Sequence, residues 1–284
     1  MIEDSFEHAA GIIASTDALL IGAGAGMGVD SGLPDFRGPE GFWRAYPPYQ
    51  KLGLDFVSLA NPRWFTEDPE LAWGFYGHRM GLYRRTQPHE GFAILLRWAN
   101  RLPLGAFVFT SNVDGHFQRA GFSRERIVEV HGSFDGMQCT RDCGIEIFSG
   151  DGVEVKIEPS TMKAVQPLPV CPECGALARP NILMFNDWGW DSARSDVQHR
   201  NLDQWFDSIS GARLVVVECG AGLAIPTVRI TCERVARLFG GTLVRINPRE
   251  ADVPPGHVSL PVGALAGLRL LDEQIERTGR AISP

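Results

Sequence analysis

The sequence predicts an α/β fold built on a doubly wound parallel sheet, interrupted by a separate small module. Three observations carry this expectation. Short apolar runs alternate with segments of helical spacing along most of the 284 residues. Several runs end in glycines or small polar residues, as strands do at the ligand-binding edge of a parallel sheet. Between 135 and 178 the texture changes, and four cysteines and several turn formers replace the helix signals.

The elements follow in chain order. Residues 5–16 space apolar groups as a helix does. Residues 18–23 (ALLIGA) read as a strand that runs into a glycine-rich loop. Residues 34–50, rich in Pro, Gly and aromatics, read as an ordered irregular loop. Residues 68–84 and 88–100 read as helices with Trp73, Tyr76, Leu95 and Trp98 on buried faces. Strands are expected at 105–110 and 126–130. Beyond the cysteine-rich stretch come a strand at 214–217, a helix at 226–239, a strand at 242–247 and a closing helix at 263–277. Cys219 and Cys232 read as small core residues.

Composition narrows the function classes. Apolar residues make up 44% and charged residues 21%, which excludes a collagen-like or largely disordered chain. A formal charge of −7 argues against general nucleic-acid binding, which needs excess cations. The start MIEDSFEHAAG lacks the basic and apolar regions of a secretory signal. No run of 18 apolar residues occurs, so a cytoplasmic protein without membrane spans is expected. Thiols stay reduced there, and clustered cysteines point to metal or catalysis before disulfides.

Four segments carry chemistry. The loop Gly22–Gly28 follows a strand, so its amide N–H groups can approach a pyrophosphate; a tight turn without ligand is the plainer reading. No acidic residue ends a second strand about 20 residues on, which argues against hydride transfer. Asn112 and Asp114 lie two apart after the strand at 105–110 and can reach one pocket, or else cap the next helix. His131, before Gly132 and after a strand, is a base near neutral pH or a structural histidine. Cys139-x3-Cys143 and Cys171-x2-Cys174 form two turns whose thiolates can share one tetrahedral Zn²⁺. Four sulfur ligands would make that zinc structural; free thiols or a redox pair are the alternatives.

Together these segments resemble the sirtuin family. Its pattern GAG-x-S-x-x-SGIPDFRG is matched by Gly24–Gly38, and Gly41-Phe42-Trp43 follows. Its TQNID is matched by Thr110–Asp114, its A-G by Ala120-Gly121, its HG by His131-Gly132 and its RP-x-V-V-x-FGE by Arg179–Asp187. Asn61-Pro62 and Phe75-Tyr76 fit its middle region, so the likeness spans almost the whole chain in order.

The resemblance implies a Rossmann-like domain over 1–40, 86–134 and 179–284. A smaller module would comprise a helical part at 41–85 and a zinc ribbon at 135–178. NAD would bind between them as a co-substrate. Gly24, Ala25, Gly26, Asp35, Phe36, Arg37, Ser111, Asn112, Asp114, Gly220, Gly222 and Asn247 would surround it, with Phe36 over the reacting ribose. Asn112 and Asp114 would hold the nicotinamide pocket, and His131 would be the general base that activates a ribose hydroxyl. The family transfers the acyl group of a modified lysine to ADP-ribose and releases nicotinamide. By the same resemblance, an acyl-lysine peptide would add as a strand between Asn181–Phe185 and the loop after Cys219.

Five departures stand out. Gly28 replaces Ser, Ser111 replaces Gln, and His116-Phe117 replaces Leu-His. Gly220-Ala221-Gly222 replaces Gly-Thr-Ser, and Asn186-Asp187 replaces Gly-Glu. None removes Asn112, Asp114 or His131, so a protein-lysine deacylase is expected. An ADP-ribosyltransferase or NAD glycohydrolase on the same scaffold, and a silent NAD-binding scaffold, are the alternatives. Arg44 and Tyr46 border the expected acyl tunnel and could bind an acidic acyl group, unless Arg44 is a surface residue.

Overall fold

A computed structural model describes residues 2–34, 42–44 and 46–277. The strands β1 (Ala18–Ala23), β2 (Ala106–Thr110), β3 (Ile127–Glu129), β9 (Leu214–Cys219), β10 (Thr242–Ile246) and β11 (Val258–Leu260) form one sheet. All its pairs are parallel, in the order β11-β10-β9-β1-β2-β3. Between them in the chain, β4 (Gly132–Cys139), β5 (Phe148–Ser149) and β8 (Ala178–Ile182) form an antiparallel sheet, ordered β5-β4-β8. β6 (Ile157–Glu158) and β7 (Lys163–Ala164) pair as a small hairpin.

The parallel sheet is buried on both faces, which is why its strands are continuously apolar. Leu19, Ile21 and Ala23 of β1 enter one core with Val215 and Val217 of β9. The helices Ile2–Ala14, Glu90–Arg101 and Ala264–Arg277 cover that face through Phe6, Ile13, Leu95, Trp98 and Leu268. Ala18, Leu20 and Val216 point the other way, beneath the helices Ala193–Ser208 and Thr227–Leu238. Cys219 and Cys232 are fully buried in these two layers, as their sequence context suggests.

A third core fills the small module. The helix Pro69–Arg85 starts at Asp68, whose Oδ1 accepts the Leu71 amide at 3.0 Å, and has Pro69 in its first turn. It buries Trp73, Phe75 and Tyr76 against Phe134, Met137 and Ile182. Trp73 Nε1 donates to the Ala178 carbonyl at 3.0 Å, which pins the helix to β8.

Three elements differ from the sequence reading. Pro47–Lys51 is a helix inside the segment expected to be irregular, and Tyr46 at its N-cap and Tyr49 within it pack against Phe75. Residues 35–41 and 45 of that segment lie outside the described residues. The helix Ala193–Ser208 was unexpected, because only Ser195, Gln198, Leu202 and Trp205 are buried and its apolar stripe is too thin to read. Strand β4 (GSFDGMQC) was also unexpected, since its sequence shows no clean alternation although seven of its eight residues are buried.

Candidate active site

The site begins where strand order reverses. The chain passes from β1 to β2 and β3 on one side, then returns to β9 and β10 on the other. The crevice beyond the carboxyl ends of β1 and β9 is where such sheets hold a dinucleotide. Gly24, Ala25 and Gly26 leave β1 there, and Gly220, Ala221 and Gly222 leave β9. A Cβ on Gly24 would lie 2.6 Å from Ala221 Cα, and one on Gly220 would lie 2.4 Å from the Gly26 carbonyl carbon. The Gly26 amide donates to the Gly220 carbonyl at 3.0 Å. Glycine at 24 and 220 is therefore what lets the two loops touch.

Asn247, fully buried at the end of β10, holds the second loop through Nδ2, which donates to the Ala221 carbonyl at 2.9 Å. Glu250 adds a contact the sequence reading missed: its Oε2 accepts the Leu223 amide at 3.1 Å. The loop keeps its shape by these two bonds without the family's two hydroxyls. Asp35, Phe36 and Arg37 lie outside the described residues.

On the other side of β1, Asn112 and Asp114 take different partners. Thr110 Oγ1, at the end of β2, donates to the Ala23 carbonyl at 2.9 Å and accepts the Asn112 amide at 3.0 Å. Asn112 Nδ2 then donates to the Gly24 carbonyl at 3.0 Å. Asp114 Oδ1 accepts the His116 amide at 2.9 Å, which opens the short helix His116–Arg119. The N-cap of that helix is Gly115, and Asp114 reaches its first amide from one position earlier, in place of the capping expected for this pair. Burial raises its carboxyl to about 6, while the His116 amide and the Arg119 and Arg79 guanidinium groups pull the other way. Ser111 donates its amide to the Ala23 carbonyl at 3.2 Å.

His131 occupies the turn between β3 and β4. Burial lowers its pKa, and a hydrogen bond to the Ser111 main chain partly opposes this, so the ring is neutral at pH 7. Its carbonyl accepts the Leu183 amide at 3.0 Å, which places the histidine beside the chain leaving β8. Gly132 has φ +74°, and a Cβ there would lie 2.0 Å from the Asn181 carbonyl oxygen. Glycine at 132 is therefore a steric requirement of this junction.

Strand β4 leads from His131 to the cysteine cluster. The sulfurs of Cys139, Cys143, Cys171 and Cys174 all lie within 4.8 Å of one another, and none is in a disulfide. Cys139 and Cys174 Sγ are 3.6 Å apart, and Cys143 and Cys171 Sγ are 3.7 Å apart. A tetrahedral Zn²⁺ with sulfurs at about 2.3 Å needs edges of about 3.8 Å, so this donor set fits structural zinc.

A model of the Sir2 family matches residues 24–204 of the chain. The chain belongs to the Sir2 family. It is similar to NAD-dependent protein deacylase 1 of Archaeoglobus fulgidus, with 30% identity over 274 residues, 95% of this chain and 97% of that protein. It is also similar to NAD-dependent protein deacylase 2 of Pyrobaculum aerophilum, with 31% identity over 98% of this chain and all of that one. Among solved structures, a Sir2 homologue in complex with NAD superposes with a TM-score of 0.68 at 26% identity, covering 98% of this sirtuin and 95% of the homologue. A Sir2 homologue mutant bound to ADP-ribose gives 0.69 at 28%, covering 95% and 96%.

Two of the departures from the sirtuin pattern, at Gly28 and at Asn186-Asp187, now have physical explanations. The place of a side chain at Gly28 is taken by Leu33, whose Cδ1 would lie 2.9 Å from a Cβ there. Asn186 stands at φ +58°, the left-handed conformation that its glycine counterpart adopts freely and that Asn tolerates. Asp187 forms a buried ion pair with Arg179, Nη1 at 3.1 Å and Nη2 at 2.5 Å. Its Oδ2 also accepts the Met184 amide at 3.2 Å, so the segment after β8 is held in shape.

In the expected acyl region, Arg44 is exposed, whereas Tyr46 is buried with Oη 3.1 Å from His78 Nδ1. The buried cation nearby is Arg79, which the sequence reading passed over. Its guanidinium lies 5.1–5.7 Å from the rings of Phe75, Tyr83, Phe56 and Phe134 and donates to Tyr83 Oη. Nothing in its local spacing announces this; six residues before Arg85, it looks like one more helix-end cation.

Proposed function

We propose that this sirtuin is an NAD-consuming protein-lysine deacylase that transfers the acyl group to ADP-ribose and releases nicotinamide. The observation that carries this reading is the hydrogen bond between Leu183 and the carbonyl of His131. It sets a neutral base beside the strand on which an acyl-lysine peptide would dock. Asn112 and Asp114 form the nicotinamide side of the cleft, with the latter protonated below about pH 6. Gly24, Ala25, Gly26 and Ser111 line its centre, and Gly220, Gly222 and Asn247 line the adenosine side. The family resemblance assigns Asp35, Phe36 and Arg37, which lie outside the described residues, to the cofactor loop.

His131 takes a proton from a ribose hydroxyl of the substrate, and the buried cleft keeps water from the cationic sugar centre until the acyl oxygen arrives. The cysteine cluster holds structural zinc away from these steps. The protein is a cytoplasmic enzyme acting on acyl-lysine proteins or peptides in this reading.

The test is mass spectrometry of the products from NAD and a panel of acyl-lysine peptides. The panel includes succinyl beside acetyl lysine, because the Arg79 cation lies against Phe56, whose ring in turn meets Phe185 at 6.3 Å. O-acyl-ADP-ribose from at least one peptide is expected. Its absence across the panel sinks the reading, and nicotinamide release without any acyl-peptide would favour NAD hydrolysis or ADP-ribosyl transfer.

A further inference from the structure

A second cavity lies outside the NAD crevice, between the cysteine ribbon and the segment Asp187–Asp191. It encloses about 570 Å³. Trp188 stands at its rim with 98% of its surface exposed. Two donors in its lining residues are orphaned: Arg179 Nε and Trp190 Nε1 are buried with no hydrogen-bond partner among the described residues. The Arg179 side chain is only 5% exposed, and its other two nitrogens are committed to Asp187. Buried donors left in this way call for an acceptor.

The charge balance narrows what that acceptor belongs to. Arg179 and Asp187 cancel one another. Asp142 and Asp191 also line the cavity, as does Cys139. Four thiolates around one Zn²⁺ add a further net negative charge on that side. A free anion is therefore disfavoured, whereas a cationic side chain meets carboxylates and the open face of Trp188. A peptide carries both groups, a carbonyl acceptor and a Lys or Arg head.

Position favours the same occupant. β4 pairs Gly132 with Ile182 and Cys139 with Ala178. Because β4 bulges between Gly132 and Met137, the cavity wall at Gln138 and Arg179 is only three residues along β8 from Ile182, on the order of 10 Å from the His131 junction. The chain leaving β8 turns at Phe185–Asn186 and then reaches the cavity wall at Asp187–Asp191.

We propose that this cavity is an accessory docking site for a basic segment of the protein substrate, several residues from the acyl-lysine. The proposal rests on the deacylase reading for its partner, but its test reads binding without turnover. Labelled acyl-lysine peptides carrying Arg about three to four positions away on either side are titrated against the full chain by fluorescence anisotropy. Peptides with Ala there serve as controls.

The Arg peptide on one side is expected to bind about tenfold tighter than its Ala counterpart. Trp188→Ala and Asp142→Asn should each shrink that preference while leaving NAD affinity and melting temperature in place. Asn at 142 keeps the left-handed backbone found there, φ +49°. Equal affinity for Arg and Ala peptides, or an undiminished preference in both variants, overturns the proposal. So does a change of oligomeric state with Trp188→Ala in the absence of any peptide preference, which would assign the face to a second copy of the chain. If binding behaves as expected but no peptide is deacylated, the deacylase reading fails and the docking site stands.

Discussion

Asn112 donates its side-chain amide to the carbonyl of Gly24 across 3.0 Å. With the Thr110 hydroxyl and Ser111 amide bonds to the Ala23 carbonyl, it ties the end of β2 to the glycine loop after β1, the two sides proposed to hold nicotinamide and phosphate. Asn112→Ala should reduce nicotinamide release by about 100-fold or more, because it loosens groups that must be preorganised. The folding cost should stay near 1 kcal/mol, the size of one lost hydrogen bond. Parallel turnover and denaturation measurements check this, and unchanged turnover would refute it.

Asp114 makes stability depend on pH in a defined direction. Its carboxyl holds a proton up to about pH 6 in the fold but releases it near 3.8 in the unfolded chain. The folded state therefore binds more protons between those values, and this group's contribution falls as pH rises through them. Asp114→Asn removes that dependence. The variant's stability relative to the parent should grow by roughly 2–3 kcal/mol between pH 4 and pH 7. Denaturant titrations at the two pH values measure the difference.

His131 is shifted the opposite way. Burial keeps it neutral, so its stabilising effect is present above the usual histidine value near 6.5 and is lost as pH falls below it. Activity should rise with pH to a plateau, with a midpoint below 6.5. His131→Ala should abolish product formation while leaving NAD binding measurable by calorimetry. A midpoint above 7 would argue against a buried neutral base.

Gly132→Ala tests the junction beside it. The added methyl would fall 2.0 Å from the Asn181 carbonyl, on a backbone at φ +74°. A loss on the order of 2–4 kcal/mol is expected, from strain and the forced separation of β4 from β8. Thermal melting reads it directly.

Metal removal reaches the site through β4, the strand that runs from Gly132 beside His131 to Cys139. Cys171→Ala or a strong chelator should release one zinc per chain and lower the melting temperature of the small module. Turnover should fall in step with zinc content. A folded, zinc-free and fully active variant would show that the cluster is not a metal site.

Much of the molecule was readable from local pattern. β1 and β9 are apolar without interruption because both faces of a parallel sheet are covered, and glycines mark where the strands end. Cysteine spacing announced a sulfur cluster, and the motif order around Asn112, Asp114 and His131 announced the family. The polar helix Ala193–Ser208 and the strand β4 were not readable, since tertiary packing rather than periodicity makes them regular.

The chain by itself determined which chemical groups arrive at the carboxyl edge of the sheet, because strand length, glycine position and motif spacing are local properties. Only the tertiary structure decided what those groups are in place. It buried Asp114 until its carboxyl resists ionisation, put Arg79 among aromatic rings and gave Asn186 the backbone of a glycine. Charge state, burial and close backbone approach depend on contacts between residues far apart in sequence, here between Gly24 and Ala221 or Gly132 and Asn181, and no single segment contains them.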